Sequence, residues 1–260
     1  MNDLTNFQNL KIIAHRGASF DAPENTLASV NLAWEQNIHY VEVDVKLTKE
    51  DILVVFHDET TIRFNQINKP VSKYNFEELS AIDVGIFKGA QWKSESIPTL
   101  EDVLKTIPIK GTLVVELKDG PEMENALAQL EKRNVKIWKQ LEFISFNYET
   151  ICMAKKIFPS NKCLWLLDLD YDSETSKNAP PNKDIIHKIK QHNLDGIDVF
   201  AGEMANESFF KMMHQEKFEI YLWTINTVEH AKQYLPFSPH GLTTDKPKWM
   251  KEQLNSIHDK

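Results

Sequence analysis

Two histidines follow directly after apolar segments, a position from which a side chain can reach a site and transfer protons. His15 comes after Ile12–Ala14, and His57 comes after Leu53–Phe56. Imidazole can both donate and accept a proton near neutral pH. The two residues are therefore a candidate acid–base pair. The other seven histidines stand in helical or surface-like segments, where a structural role is favoured.

Three acidic residues stand inside apolar segments and indicate a metal site. Glu42 and Asp44 alternate with valines at 41, 43 and 45, and Glu116 follows a Leu-Val-Val run. Residues two apart on a strand share a face, and a buried carboxylate without a partner is costly. All-oxygen ligation suits Mg²⁺, Ca²⁺ or Mn²⁺ better than zinc. The alternative is a structural ion network with Lys46 or Lys118.

Two further residues could contact a substrate. Arg16 adjoins His15 and offers a planar fork for a phosphate or carboxylate, although a salt bridge is its alternative role. Trp223, together with Phe146, could form an apolar wall for the organic part of a ligand. As aromatic residues in strand-like segments, both could equally belong to the core.

Short runs rich in Val, Ile and Leu recur along the chain, and helical patterns lie between most of them. This rhythm is typical of parallel strands buried on both faces. Eight strong runs predict a (β/α)₈ TIM barrel, whose chemistry lies at the carboxyl ends of its strands. A doubly wound sheet is the alternative, but no Gly-x-Gly-x-x-Gly turn supports it. The runs are Ile12–Ala14, Val41–Val45, Leu53–Phe56, Leu113–Leu117, Phe143–Phe146, Leu164–Leu167, Ile197–Phe200 and Ile220–Ile225, with a weaker ninth at Gly241–Thr244.

The second and third runs are too close together for a parallel crossover. Only Lys49–Asp51 separates them, whereas a crossover needs a dozen or more residues. A β-hairpin is expected, and a turn centred on Glu50 places Asp44 opposite Phe56. This pairing would bring Glu42, Asp44 and His57 together.

Composition limits the domain count and the partners. The 260 residues carry a net charge of −8, and 42% are hydrophobic, which is enough for a full core. We expect a single domain over 1–260, with an insertion over about 60–98 that covers one rim of the barrel. The negative charge argues against nucleic acid and anionic membranes, and at first sight against a phosphate-bearing substrate.

Targeting signals are not apparent in the sequence. The first ten residues lack the basic and apolar regions of a signal peptide, and the longest apolar runs are far shorter than a transmembrane segment. Two cysteines cannot form a disulfide framework. A cytoplasmic protein without transmembrane segments is expected, although a secreted chain trimmed of its signal would look the same. The oligomeric state is left open.

The motifs together resemble the glycerophosphodiester phosphodiesterase family. The resemblance runs through the chain in order and is most specific near the amino terminus. The matching segments are Ile13–Ser19, Pro23–Thr26, Glu42–Thr48, Val55–Asp58, Ile97–Leu100, Glu116–Lys118, Ser145–Phe146, Trp223–Asn226 and Thr244–Pro247. The family fold is a (β/α)₈ barrel with a small insertion after the third strand.

The resemblance implies roles for the candidate histidines, cations and acids. His15 and His57 would be the acid–base pair, and Arg16 and Lys118 would hold phosphate. Glu42, Asp44 and Glu116 would bind one divalent cation, Mg²⁺ or Ca²⁺. The implied reaction is hydrolysis of glycerophosphodiesters, such as glycerophosphocholine or glycerophosphoethanolamine, to sn-glycerol 3-phosphate and an alcohol. A lysophospholipase D activity and a non-catalytic phosphate-binding barrel are the alternatives.

Overall fold

A closed parallel barrel forms the centre of the computed structural model, which describes residues 9–133, 137–170 and 182–258. Eight strands of the described part form the barrel in the order β1-β2-β4-β5-β6-β7-β8-β9, and β9 pairs with β1 to close it. The prediction of a TIM barrel is confirmed. The strands are β1 Lys11–Ala14, β2 Tyr40–Leu47, β3 Leu53–Val55, β4 Thr112–Leu117, β5 Leu141–Ser145, β6 Lys162–Leu167, β7 Gly196–Phe200, β8 Glu219–Trp223 and β9 Gly241–Thr244.

Helices connect the strands, and polar side chains mark where several of them begin. Thr26, Thr99, Asn147, Asn206 and Thr227 each accept a backbone N–H of the first turn that follows. These caps satisfy donors that the helix itself leaves unpaired. The helices are α1 Leu27–Glu35, α2 Ile62–Asn65, α3 Phe76–Ser80, α4 Leu100–Leu104, α5 Glu124–Arg133, α6 Tyr148–Ile157, α7 Asn182–Gln191, α8 Glu207–Gln215, α9 Val228–Tyr234 and α10 Pro247–His258.

The expected hairpin between β2 and β3 is present in the expected register. Val45 pairs with Val55, and the Phe56 N–H donates to the Asp44 carbonyl at 2.9 Å. β3 runs antiparallel to β2 and lies outside the closed barrel. One detail of the strand prediction is therefore wrong. The strong run Leu53–Phe56 is not a barrel strand, and the weaker run Gly241–Thr244 supplies the eighth. All four of its buried residues pair with β1, and Gly241 and Leu242 also pair with β8.

Side chains from alternate strands fill the barrel in levels. From one strand to the next around the barrel, the residue at the same height lies one position beyond the residue that pairs in the ladder. Because side chains alternate along a strand, only every second strand points a side chain inward at each level. The registers place Glu42, Ile144, Asp198 and Thr243 on one level, and His15, Glu116, Leu166 and Trp223 on the level above, nearer the carboxyl ends.

The segment after β3 packs around a small hydrophobic core of its own. Val54 and Phe56 of the hairpin contribute to this core together with Tyr74 and Ile97. Most aromatic residues of the segment are used in this packing, whereas Phe87 is about half exposed. The segment therefore holds the end of β3, and with it His57, against the barrel.

No helix in the described ranges is both long and apolar enough to span a membrane. The cytoplasmic location stays a prediction, and residues 1–8, on which it partly depends, lie outside the described residues.

Candidate active site

Glu42, Asp44 and Glu116 meet at the carboxyl end of the barrel. The three residues are 3%, 1% and 9% exposed, and one oxygen from each lies within 4.8 Å of the others. Within the described part of the chain, Glu42 Oε1 and Asp44 Oδ1 are buried without a hydrogen-bond partner. Clustered acidic oxygens with unused lone pairs suit a hard divalent cation. The donor set therefore fits the cation that the sequence implies.

Burial and the charges around them give these three acids different pKa values. Burial, together with Asp44 and Glu116, raises the pKa of Glu42 well above its ordinary value. Burial and Asp44 raise the pKa of Glu116 to about 7. Burial also acts to raise the pKa of Asp44, but Arg16 and Lys118 outweigh it and hold that pKa below its ordinary value. Asp44 therefore stays ionised and is the anchor of the cluster.

Two cations face this acidic cluster. The Arg16 guanidinium lies 3.1 Å from Asp44 Oδ2 through Nε and 3.0 Å from Glu24 through Nη1. Lys118 Nζ donates to Glu116 Oε1 at 2.7 Å and lies 3.5 Å from Asp44 Oδ1. The ion pairs with Lys118 that the sequence offered as an alternative are present, whereas Lys46 pairs with Glu59 and Asp119 instead.

Each candidate catalytic histidine is oriented by a carboxylate. His15 Nδ1 lies 2.6 Å from Asp245 Oδ1, and His57 Nδ1 lies 2.9 Å from Asp58 Oδ1. An ionised carboxylate only accepts, so Nδ1 carries the proton and Nε2 is left for proton exchange. Burial, with Arg16 and Lys118, lowers the pKa of His57, although Asp44 opposes the shift.

Seven of the eight sequence-predicted residues line one cavity, and the eighth, Asp44, contacts the lining residues Arg16 and Lys118. The cavity has a volume of about 120 Å³ and opens at the carboxyl end of the barrel. Trp223 forms its far wall and packs edge-to-face on Phe146 at 5.6 Å. Phe146 is 44% exposed, so it lies at the rim and is not a core residue. The cavity lining consists of His15, Arg16, Glu42, His57, Glu116, Lys118, Ile144, Phe146, Leu166, Asp198, Trp223, Thr224 and Thr243.

Two residues that hold this arrangement in place have no role predicted from the sequence. Asp245 orients His15 and is itself fixed by the Asn226 amide at 2.6 Å. Asn25 donates to Asp44 Oδ2 at 2.8 Å and accepts from the Asp44 N–H at 3.1 Å. Both residues stand in segments that carry the family resemblance, but only their long-range partners define what they do.

The Asn25 contact predicts a loss of stability and activity together. Asn25→Ala removes both bonds to the buried Asp44, which should cost about 1–3 kcal/mol of unfolding free energy and loosen the acidic cluster. Chemical denaturation and steady-state kinetics measure the two effects. Asn37→Ala is the matched control, since Asn37 has the same left-handed backbone (φ 58° against 57°) but an exposed side chain. Equal losses in both variants would assign the effect to backbone strain.

This arrangement can orient an anion between two cations, hold a divalent cation, and move protons from either side. Such a combination suits attack on a phosphodiester.

The chain is similar to known proteins. The family model described as the glycerophosphoryl diester phosphodiesterase family matches residues 15–249. A glycerophosphodiester phosphodiesterase of Caldanaerobacter subterraneus subsp. tengcongensis is 37% identical over 158 residues, which is 58% of this chain and 64% of that protein. A human lysophospholipase D is 22% identical over 273 residues, or 95% of this chain and 87% of that one.

A solved structure agrees in fold over nearly the whole chain. An Oleispira antarctica phosphodiesterase in complex with the product sn-glycerol-3-phosphate superposes with a TM-score of 0.81 at 26% identity, covering 94% of this chain and 96% of that one. The chain therefore belongs to the glycerophosphoryl diester phosphodiesterase family, whose members are metal-dependent phosphoric diester hydrolases.

Proposed function

We propose that this chain hydrolyses glycerophosphodiesters, such as glycerophosphocholine or glycerophosphoethanolamine, to sn-glycerol 3-phosphate and an alcohol. The observation that carries the proposal is the single cavity lined by two carboxylate-oriented histidines, two cations and an acidic cluster. The product bound by the Oleispira antarctica phosphodiesterase supports the same substrate class.

Proton transfer falls to the histidines. One of His15 and His57 accepts the proton of the attacking oxygen at Nε2, and the other donates a proton to the departing alcohol. A bond from phosphorus to the attacking oxygen forms while the bond to the head-group alcohol breaks. The attacking group is either a water or the neighbouring glycerol hydroxyl, which would give a cyclic phosphate that water then opens.

The cations hold the phosphate. Arg16 and Lys118 now pair with carboxylates of the cluster, and a bound phosphate would share their donors. Glu42, Asp44 and Glu116 would hold the divalent cation, which supplies charge neutralisation at the phosphate oxygens when bound.

A lysophospholipase D activity is the second candidate, and exposed apolar residues favour it. Ile62, Ile86 and Phe87 of the segment after β3 are each about half exposed, and Phe87 stacks edge-to-face on Phe64. An acyl chain leaving the cavity could lie along this surface. The non-catalytic alternative is not retained, because the family consists of hydrolases.

Product analysis tests the proposal. Purified protein should release sn-glycerol 3-phosphate and choline from glycerophosphocholine with Mg²⁺ or Ca²⁺, and EDTA should abolish the release. Parallel reactions with lysophosphatidylcholines of increasing chain length test the second candidate. Activity that rises with chain length would favour it over the first. Release of phosphocholine, or no turnover with either metal, would contradict both.

A further inference from the structure

Asp198 is a buried acid that the proposed chemistry does not use. It lies on β7, is 2% exposed, and lines the cavity. Its Oδ1 has no hydrogen-bond partner within the described ranges. Burying a carboxyl without a partner is costly, so proteins rarely keep one unless a ligand completes it.

The barrel registers place Asp198 across from the acidic cluster. It shares its level with Glu42, and three barrel strands separate β7 from β2 in either direction around the ring. The two residues between them at this level, Ile144 and Thr243, also line the cavity. A ligand whose phosphate lies near Glu42 would therefore extend its other end toward Asp198.

The indole of Trp223 adds the complementary group. Its Nε1 is also buried without a hydrogen-bond partner in the described part of the chain, and its ring lines the same cavity one level above. An indole N–H only donates, whereas a carboxyl oxygen accepts. A hydroxyl can accept from the first and donate to the second, so a hydroxyl satisfies both atoms at once.

We propose that Asp198 and Trp223 Nε1 form a subsite for the terminal hydroxyl of the substrate glycerol, an inference that rests on the proposed function. The hydroxyl next to the phosphate-bearing carbon stays near the histidines, and the terminal one reaches the far wall. The head-group alcohol instead lies at the open rim, beside the exposed rings of Phe146 and Phe200. Asp198 is thus a specificity residue.

Burial raises the pKa of Asp198 well above its ordinary value, with Glu116 and Glu142 adding to it. A carboxyl oxygen accepts a hydrogen bond in either protonation state.

Two substrates separate this role from a structural one. The first is glycerophosphocholine, and the second is its analogue with propane-1,2-diol in place of glycerol, which lacks only the terminal hydroxyl. We expect the wild type to prefer glycerophosphocholine in kcat/KM by at least about tenfold, since sites built around a hydroxyl reject analogues without it. Asp198→Leu should lower kcat/KM for glycerophosphocholine by a similar factor and leave the analogue unchanged, so that the preference disappears.

Two further variants complete the test. Trp223→Phe removes the N–H and keeps a ring, and it should also reduce the preference. Ile144→Leu alters the same level without a polar atom and should leave the preference unchanged. Asp198→Leu should fold with an equal or higher Tm, because it removes an unpartnered acid.

The outcomes separate the inference from the proposed function. A wild type that does not hydrolyse glycerophosphocholine overturns the function itself. Normal turnover with a preference that survives Asp198→Leu and Trp223→Phe overturns the subsite alone. An equal fall on both substrates would mean that Asp198 supports the fold of the site. If Asp198→Leu instead changed the preference between glycerophosphocholine and glycerophosphoethanolamine, the subsite would belong to the head group. That result would also overturn the inference.

Discussion

Turnover of glycerophosphocholine, the proposed substrate, should fall by about 10²–10⁴-fold when His15 or His57 is replaced by alanine. Each imidazole has its Nδ1 fixed by a carboxylate, so its Nε2 is positioned for transfer to or from the substrate. The side chains are 20% and 33% exposed, so truncation removes little packing. The thermal midpoint should therefore stay close to that of the wild type while kcat collapses.

The matched control for this prediction is His39→Ala. His39 is exposed and lies just before β2, at the opposite end of the barrel. This variant should keep wild-type turnover. The double variant His15→Ala/His57→Ala should be scarcely slower than either single one, because the effects of residues that act as a unit in one reaction are not additive. Wild-type rates in both single variants would remove the histidines from the mechanism.

Replacing Glu42 by glutamine should abolish activity and raise the stability of the metal-free protein at the same time. The loss of a cation-binding carboxylate removes charge stabilisation worth several kcal/mol, or about 10²-fold or more in rate. Without metal, burial and the neighbouring Asp44 and Glu116 raise the pKa of Glu42 well above its ordinary value, so near neutral pH the folded protein must take up a proton there that the unfolded chain does not hold. Glutamine removes this cost, so it should raise the unfolding free energy by about 1 kcal/mol or more, which corresponds to ~2–4 °C.

Thermal denaturation with and without divalent cation separates these two effects. The wild type should gain about 2.7 kcal/mol when Mg²⁺ or Ca²⁺ is present at a hundred times its dissociation constant. The Glu42→Gln variant should show a higher midpoint in EDTA and no gain on adding metal. Glu35→Gln is the control, since Glu35 is exposed at the end of α1. A full metal-induced gain in Glu42→Gln would place the cation elsewhere.

The net charge of −8 is misleading about the site. Three of the acids contributing to it are gathered at the cavity, where Arg16 and Lys118 lie among them. A bound divalent cation would reverse the local sign and favour a phosphodiester. A phosphate substrate is therefore compatible with the negative net charge, because the positions of the charges matter at the site and their sum does not.

The sequence by itself determined the type of barrel and most of the cavity lining. Apolar runs, their spacing and their alternation are local properties. Only three residues separate the second and third runs, which is too short for a parallel crossover and therefore requires a hairpin. The register that brings Asp44 opposite Phe56 follows from that turn. The positions of His15, Glu42 and Glu116 at one mouth then follow from the parallel barrel, in which the carboxyl ends of the strands share one face.

Only the tertiary structure decided which residues complete the site. Asp245 orients His15 from 230 positions away, and Asn25 holds Asp44 across 19. The ninth run proved to be a barrel strand because closure requires an eighth parallel partner between β8 and β1. Asp198 reads in the sequence as an ordinary polar residue in a strand, and the level it shares with Glu42 appears only once the barrel is closed. Which distant segments come within hydrogen-bonding distance depends on the register of every strand between them. A local sequence pattern does not contain those registers.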